Sequence, residues 1–330
     1  MKPLAWIFWS LRWILAVIGL LALLFGLLIA TPLSRPPELT SIRAGARAVD
    51  QSGLPDISRF QARDGSWLAY RLYAAADGGG QNIAIVIHGS AGHSTGTNEI
   101  AKRLAAENYL VVAPDMRGHG ESGTRGDIGY YGQLDDDLED LIAELRRRYP
   151  QPHFSLLGFS AGGGFALRVA AGKLAADFER LVLLSPFLGY YAPSSRSAEG
   201  SAQWATADLP RIVAISVLGR LGLRCCEALP VIAFAVAADS EKFVTARYSH
   251  RLLFNFGPPR DLDAAFRSLR MPTTIIVGAA DELMLADRYA DIVRGVQPPI
   301  AVTIVPGLTH MDMLHAAPAL DAVGAAFKEK

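Results

Sequence analysis

The sequence predicts an α/β fold, a mostly parallel central sheet with helices on both faces and a helical cap inserted near one edge. Three observations carry this. Short β-rich apolar runs recur at Ile83–His88, Tyr109–Ala113, Phe154–Gly158, Leu181–Ser185, Thr273–Gly278 and Ala301–Val305. Such runs read as strands buried on both faces, as parallel sheets require. Helical patterns separate them at Glu99–Asn108, Leu134–Tyr149, Ala161–Ala171, Leu283–Arg294 and Pro318–Lys328. Third, the rhythm breaks between Ser185 and Pro272, where apolar helical segments stand without a strand–helix repeat, so residues 189–262 are read as the insertion.

The N-terminal element comes first in chain order. Trp13–Ala30 is eighteen residues without a charge, with Trp6, Trp9 and Trp13 near its start. About 20 apolar residues cross a bilayer as a helix, and tryptophan favours the interface. A cleaved signal would want small residues before the cut, and Leu28-Ile29-Ala30 lacks that pattern. Residues 1–30 are therefore expected to form a single-pass membrane anchor. Lys2 and Arg12 precede it and Arg35, Arg43 and Arg47 follow, so the positive-inside count turns the C-terminal domain toward the cytoplasm. Signal-anchor habit turns it outward, and the two counts conflict.

Residues 31–58 hold several prolines and no sustained period, which reads as a linker to a domain over 59–330. Trp67–Tyr73 is expected as an antiparallel edge strand. Within the insertion, Ile212–Ala238 carries charge only at Arg220, Arg224 and Glu227, and Pro230 interrupts it. One or two helices over the site are expected there, with an apolar face that lines an acyl pocket or dips into the bilayer.

Bulk composition excludes several classes. Lys+Arg and Asp+Glu both total 32, so no strong field favours nucleic acid. Cys225 and Cys226 are the only cysteines and are adjacent, which supports neither a disulfide framework nor a metal-ligand spacing. No metal and no cofactor is expected.

The chemistry concentrates in Gly158-Phe159-Ser160-Ala161-Gly162, a G-x-S-x-G pattern between a strand and a helix. A serine at the apex of so sharp a turn needs very small neighbours. The following helix N-terminus would offer the Ala161 N–H and a positive dipole end to a developing oxyanion. A nucleophilic serine needs a base and an orienting acid, which in this arrangement follow later strands in the order Ser, acid, His. His310 follows the strand Ala301–Val305 and Asp281 follows Thr273–Gly278, with Glu282 and Asp287 as competing acids. His315 also follows the last strand and reads as a surface residue near the final helix. His88-Gly89-Ser90-Ala91-Gly92 ends a buried strand in small residues, where the Ser90 N–H could supply the second oxyanion donor. His88 reads as a structural residue there, and His93 and Ser94 as candidates for the site wall.

Taken together, HGSAG, DMRGHGES (Asp115–Ser122), GFSAGG, GAADE and GLTH resemble the α/β-hydrolase superfamily, in particular its monoglyceride lipase, lysophospholipase and serine-aminopeptidase-like branch. DGSWLAYRLY (Asp64–Tyr73) resembles that branch's opening strands, and the similarity runs from about Phe60 onward with the cap matched least. The resemblance implies the α/β-hydrolase fold, with Ser160 as nucleophile, Asp281 as acid, His310 as base, and Ser90 and Ala161 N–H groups as the oxyanion hole. It makes Asp115–Ser122 a structural loop, with Arg117 and His119 in packing roles. Asp135–Asp137 reads as first-turn carboxylates that offset a helix dipole. The expected activity is hydrolysis of a lipid-like carboxylic ester. A proline-iminopeptidase-like peptidase is the enzymatic alternative, and would want an acidic anchor for a substrate amino group. A noncatalytic membrane-anchored binding protein of the same fold is the alternative from another class. An Asp-nucleophile dehalogenase is disfavoured by Ser160.

Overall fold

Apolar strand runs whose two faces both reach 0% exposure demand neighbours above and below, and this requirement organises the sheet. The structure, a computed structural model, describes residues 2–196, 203–240 and 244–328. Its strands are β1 (Ile57–Gln61), β2 (Trp67–Tyr73), β3 (Asn82–Ile87), β4 (Leu110–Pro114), β5 (His153–Phe159), β6 (Phe178–Leu184), β7 (Ala205–Ala207), β8 (Pro230–Phe234), β9 (Arg247–Ser249), β10 (Thr273–Gly278) and β11 (Ala301–Val305). Eight form the main sheet in the order β1-β2-β4-β3-β5-β6-β10-β11. β1 and β2 pair antiparallel and β2 meets β4 antiparallel; from β4 to β11 every pairing is parallel. Register is set in the middle by pairs such as Ile85↔Leu156 and Leu157↔Val182.

The helices are α1 (Lys2–Ile29), α2 (Thr40–Ala48), α3 (Asn98–Ala106), α4 (Gln133–Arg148), α5 (Ala161–Ala170), α6 (Leu209–Arg220), α7 (His250–Leu253), α8 (Leu262–Ser268), α9 (Tyr289–Ile292) and α10 (Ala317–Lys328). On α4, Leu134, Leu138, Leu141 and Leu145 repeat at helical spacing and are buried, with arginines completing its last turn. One helical layer, with α4, α5 and α8, covers one sheet face through Leu138, Phe165 and Phe266. The other, α3 with α10, covers the opposite face through Ile100, Leu104, Val323 and Phe327.

Topology places the site. The chain leaves β3 toward β4 on one side, then returns so that β5 lies on the other side of β3 and continues to β6. Connections that part in opposite directions leave a crevice beyond the carboxyl ends of β3 and β5. The segments 88–92 and 160–162 emerge there.

Several sequence expectations are revised. The segment read as a linker contains α2, whose Ile42 packs into the core. β2 is antiparallel as expected, but β1 lies outside it, so β2 is not the edge. β11 is the opposite edge, with Ile304 43% exposed, and is not buried on both faces. The helix expected over Leu283–Arg294 shrinks to a 3-10 turn at Ala286–Arg288 and the single turn α9. Leu285 interrupts it, standing in extended backbone at φ −92° and ψ 96° with its N–H donating to Ser194 O.

The insertion is mixed rather than helical. Its apolar run divides into α6 and strand β8, which pairs antiparallel with β7 and β9 in a separate three-stranded sheet. Pro230 cannot continue a helix, and Val231, Ile232 and Phe234 favour extended backbone. Asp137 is also reassigned: it is a buried partner of Arg117, with Nη2–Oδ1 at 2.7 Å, rather than a solvated carboxylate.

α1 holds a 21-residue segment, Trp9–Ile29, of mean hydropathy 2.5 with none of its apolar window buried. Its carboxyl end is tied to the insertion. Thr31 Oγ1 donates to Asp208 at 2.8 Å, and Arg211 Nε donates to Ile29 O at 2.8 Å. The same Asp208 carboxylate caps α6 by accepting the Arg211 N–H at 3.0 Å.

Candidate active site

Ser160 sits at φ 52° and ψ −120°, positive-φ backbone that a residue with a side chain rarely adopts. Four main-chain bonds hold it, one of them from the Gly164 N–H to Ser160 O at 3.2 Å. The Ser160 N–H donates to Leu184 O at 2.9 Å, and Ser160 O accepts from Phe187 N and Gly163 N, both at 2.9 Å. Its flanking glycines are required by contact. A Cβ on Gly158 would lie 2.2 Å from Gly162 O, and one on Gly162 would lie 2.2 Å from His88 O. Gly164 serves a different approach: its Cβ would meet Phe187 O at 2.3 Å, in the segment after β6.

His310 and Asp281 come from neighbouring strand ends. The loops after β10 and β11 are stitched by Ala279 N–Val305 O and Ala280 N–Leu308 O. His310 Nδ1 lies 2.8 Å from Asp281 Oδ2, and both side chains are buried. Asp281 Oδ1 accepts from Leu283 N and Met284 N, each at 2.9 Å, so the carboxylate is fixed in direction. Burial pushes the Asp281 carboxyl up, but the adjacent His310 and these N–H donors outweigh it and hold the group below its ordinary value. The competing acids go elsewhere. Glu282 Oε2 accepts the His310 main-chain N–H at 2.9 Å, while Asp287 is 3.6 Å from Arg288.

Ser160 and His310 line one cavity of about 530 Å³, together with Ser90, Phe159, Trp204 and Met311. Among the described residues the Ser160 hydroxyl makes no hydrogen bond. The N–H groups of Ser90 and Ala161 have no acceptor among the described residues. Ser90 lines the cavity, and Ala161 opens α5, whose dipole has its positive end there.

The remaining sequence candidates fall on either side of this cavity. His88 Nδ1 meets Gly89 O at 2.8 Å and its Nε2 accepts from Met116 N at 3.1 Å, which braces the loop. Burial brings its pKa down to about 4, so the ring stays neutral. His93 lines the cavity. Ser94 does not; it is buried with its N–H on Asp115 Oδ1 at 2.7 Å. His315 stands before α10 and 3.6 Å from Asp312. Sequence reasoning missed α2, which adds Ile42, Arg43, Ala46 and Arg47 to the wall, and missed Trp204 from the insertion. Prolines upstream of α2 masked its short pattern. Among the described residues no group of three or more His, Cys, Asp or Glu is arranged to hold a metal.

Comparison with known proteins agrees with this architecture. Residues 80–315 match the family described as serine aminopeptidase, S33. Human monoglyceride lipase is 31% identical over 153 residues, 46% of this chain and 49% of that protein. The chain thus spans about half the length of the mammalian monoglyceride lipases it matches. The monoacylglycerol lipase of Mycolicibacterium smegmatis is 26% identical over 250 residues, 70% of this chain and 81% of that one. Among solved structures, a soluble variant of Saccharomyces cerevisiae monoglyceride lipase matches with a TM-score of 0.60 at 16% identity, over 84% and 95% of the two chains. A membrane phospholipase A matches with a TM-score of 0.55 at 18% identity over 97% of each chain. At such identities the structural likeness is one of fold. With the family pattern spanning both sides of the insertion, and its strands carrying the observed sheet order, this chain belongs to the S33 serine-aminopeptidase family of α/β-hydrolases, in the branch of the monoglyceride lipases.

Proposed function

We propose that the protein is a membrane-anchored serine hydrolase that cleaves lipid-like carboxylic esters, of monoacylglycerol or lysophospholipid type, through an acyl-enzyme. The observation that carries the reading is that Ser160, on its strained turn, and His310, paired with the buried Asp281 at 2.8 Å, line one cavity. Ser160 Oγ attacks the ester carbonyl while His310 Nε2 takes its proton, and Asp281 holds Nδ1–H toward itself. The Ser90 and Ala161 N–H groups stabilise the tetrahedral oxyanion by donating hydrogen bonds to it. Collapse expels the alcohol, protonated by His310, and water repeats the sequence to release the acid.

The cavity wall favours an ester with an apolar chain over a peptide. Its described lining is mainly apolar, with Arg43 and Arg47 and no Asp or Glu to receive a substrate ammonium. The membrane part of the reading rests on α1 and on its clasp to Asp208 and Arg211. α6 continues the apolar surface beyond that clasp, with Leu209 at 65% exposure and Val213 at 56%. In this reading α6 meets the bilayer beside α1.

Labelling with a fluorophosphonate, wild type against Ser160→Ala, tests the mechanism. Ser160-dependent labelling with turnover of a monoacylglycerol supports it; absent labelling overturns the hydrolase reading. A panel of acyl esters and aminoacyl amides then tests substrate class, and preference for the amides would overturn the lipid assignment.

A further inference from the structure

The insertion grips the loop that carries Ser90 at three points. Trp204 Nε1 donates to Ser90 Oγ at 2.8 Å. The Thr245 N–H donates to Ala91 O at 3.0 Å. The Ala91 N–H donates to the Tyr248 hydroxyl at 2.9 Å. Both main-chain polar groups of Ala91 are therefore held from the insertion, as is the side chain of its neighbour. The loop needs such support, because Ala91 stands at φ 61° without being glycine.

Tyr248 is anchored in turn. With one lone pair occupied by the Ala91 N–H, its proton is directed to His119 Nε2 at 2.6 Å. His119 Nδ1 then faces Arg117 O at 3.3 Å as a donor. Burial holds His119 well below its ordinary pKa and raises that of the Tyr248 phenol, so the ring remains an acceptor and the phenol a donor. Thr245 Oγ1 donates to Gly118 O at 2.9 Å, which binds the same strand approach to the same loop. The DMRGHGES segment thus forms the base on which β9 seats Tyr248.

We propose that Trp204 and Tyr248 are positioning residues for the oxyanion hole, so that the insertion sets how well Ser90 N–H meets the transition state. The inference rests on the hydrolase reading above. Neither side chain needs to touch the reacting atoms. Each restrains the peptide units on either side of Ser90, and displacement of a donor by about 1 Å can cost on the order of 100-fold in rate. An insertion that served purely as a substrate wall would alter substrate affinity and leave the oxyanion unaffected.

Tyr248→Phe and Trp204→Phe separate these cases, because each keeps a ring and removes the polar hydrogen-bonding group. The readouts are kcat and KM for a short p-nitrophenyl ester, and affinity for a trifluoromethyl ketone whose adduct carries the oxyanion. A fall in kcat of about tenfold or more in either folded variant, with KM within about twofold and ketone affinity falling in parallel, is expected. Unchanged kcat and ketone affinity, or a loss confined to KM or to melting temperature, would overturn the inference. The wild type serves as the control that keeps two failures apart. Ser160-dependent turnover alongside fully active variants sinks the positioning role alone, whereas a wild type without such turnover sinks the hydrolase reading and this inference together.

Discussion

At the residue scale, the site depends on backbone that side chains would forbid. Gly162 approaches His88 O so closely that an added Cβ would sit at 2.2 Å, against backbone that cannot swing aside. Gly162→Ala should therefore cost about 1–3 kcal/mol of stability through overpacking. A urea midpoint shift would measure it, and an unshifted midpoint would contradict the contact. In the proposed mechanism Asp281 acts through direction rather than through its own reactivity. Both its oxygens are occupied, by two main-chain N–H groups and by the His310 ring. Asp281→Asn should lower kcat by about 10⁴-fold by presenting the wrong tautomer, while leaving the fold in place. Circular dichroism with kinetics on a short ester would separate those effects.

At the scale of elements, α6 ties the carboxyl end of α1 to the insertion. Asp208 caps the helix and also receives Thr31 at the exit of α1. Asp208→Ala should remove about 1 kcal/mol of cap stabilisation and loosen α6 ahead of the central sheet. Hydrogen exchange resolved by segment would show α6 opening before β5, or refute the coupling by showing both unchanged. The exposed apolar residues of α6 give a second test. Leu209→Asp with Val213→Asp should weaken turnover of long-chain esters in vesicles and spare short soluble esters. Equal loss on both would argue for a damaged fold instead of a lost membrane contact.

At the scale of the whole molecule, stability should depend on two buried histidines. Burial takes the His88 pKa down to about 4 and that of His119 well below its ordinary value. Because the folded state refuses protons that the unfolded chain accepts, stability is complete above the ordinary histidine value of about 6.5 and declines as pH falls toward the depressed values. Melting temperature should drop across that interval, and by less in His88→Asn. A flat profile would contradict the neutral, buried assignment. The proposed anchor has its own measurement: the full chain should stay in the membrane pellet through alkaline carbonate washing, and release would overturn the proposal that α1 spans a bilayer.

Legibility followed length and burial. Ile83–Ile87 and Leu156–Phe159 could be read because strands covered on both faces are nearly continuous apolar runs. β7 and β9 are three residues each, too short to show a period, so the small sheet in the insertion was hidden. The expected helix after Asp281 failed for a tertiary reason, since Leu285 stands in extended backbone with its N–H donating to Ser194 O of the insertion. That Ser160, Asp281 and His310 follow strands β5, β10 and β11 was legible in the sequence, whereas Trp204 and Tyr248 carried no such local signal.

By itself the sequence determined the alternation of strand and helix, the turn at Ser160 and the apolar N-terminal helix, because each is written in local pattern and residue size. The tertiary structure decided which acid meets His310, what walls the cavity and what holds the Ser90 loop. Those depend on groups 29 and 157 residues apart being brought within hydrogen-bond distance, as His310 with Asp281 and Ala91 with Tyr248. Geometry of that kind arises when strand order closes the crevice, and no window of neighbouring residues contains it.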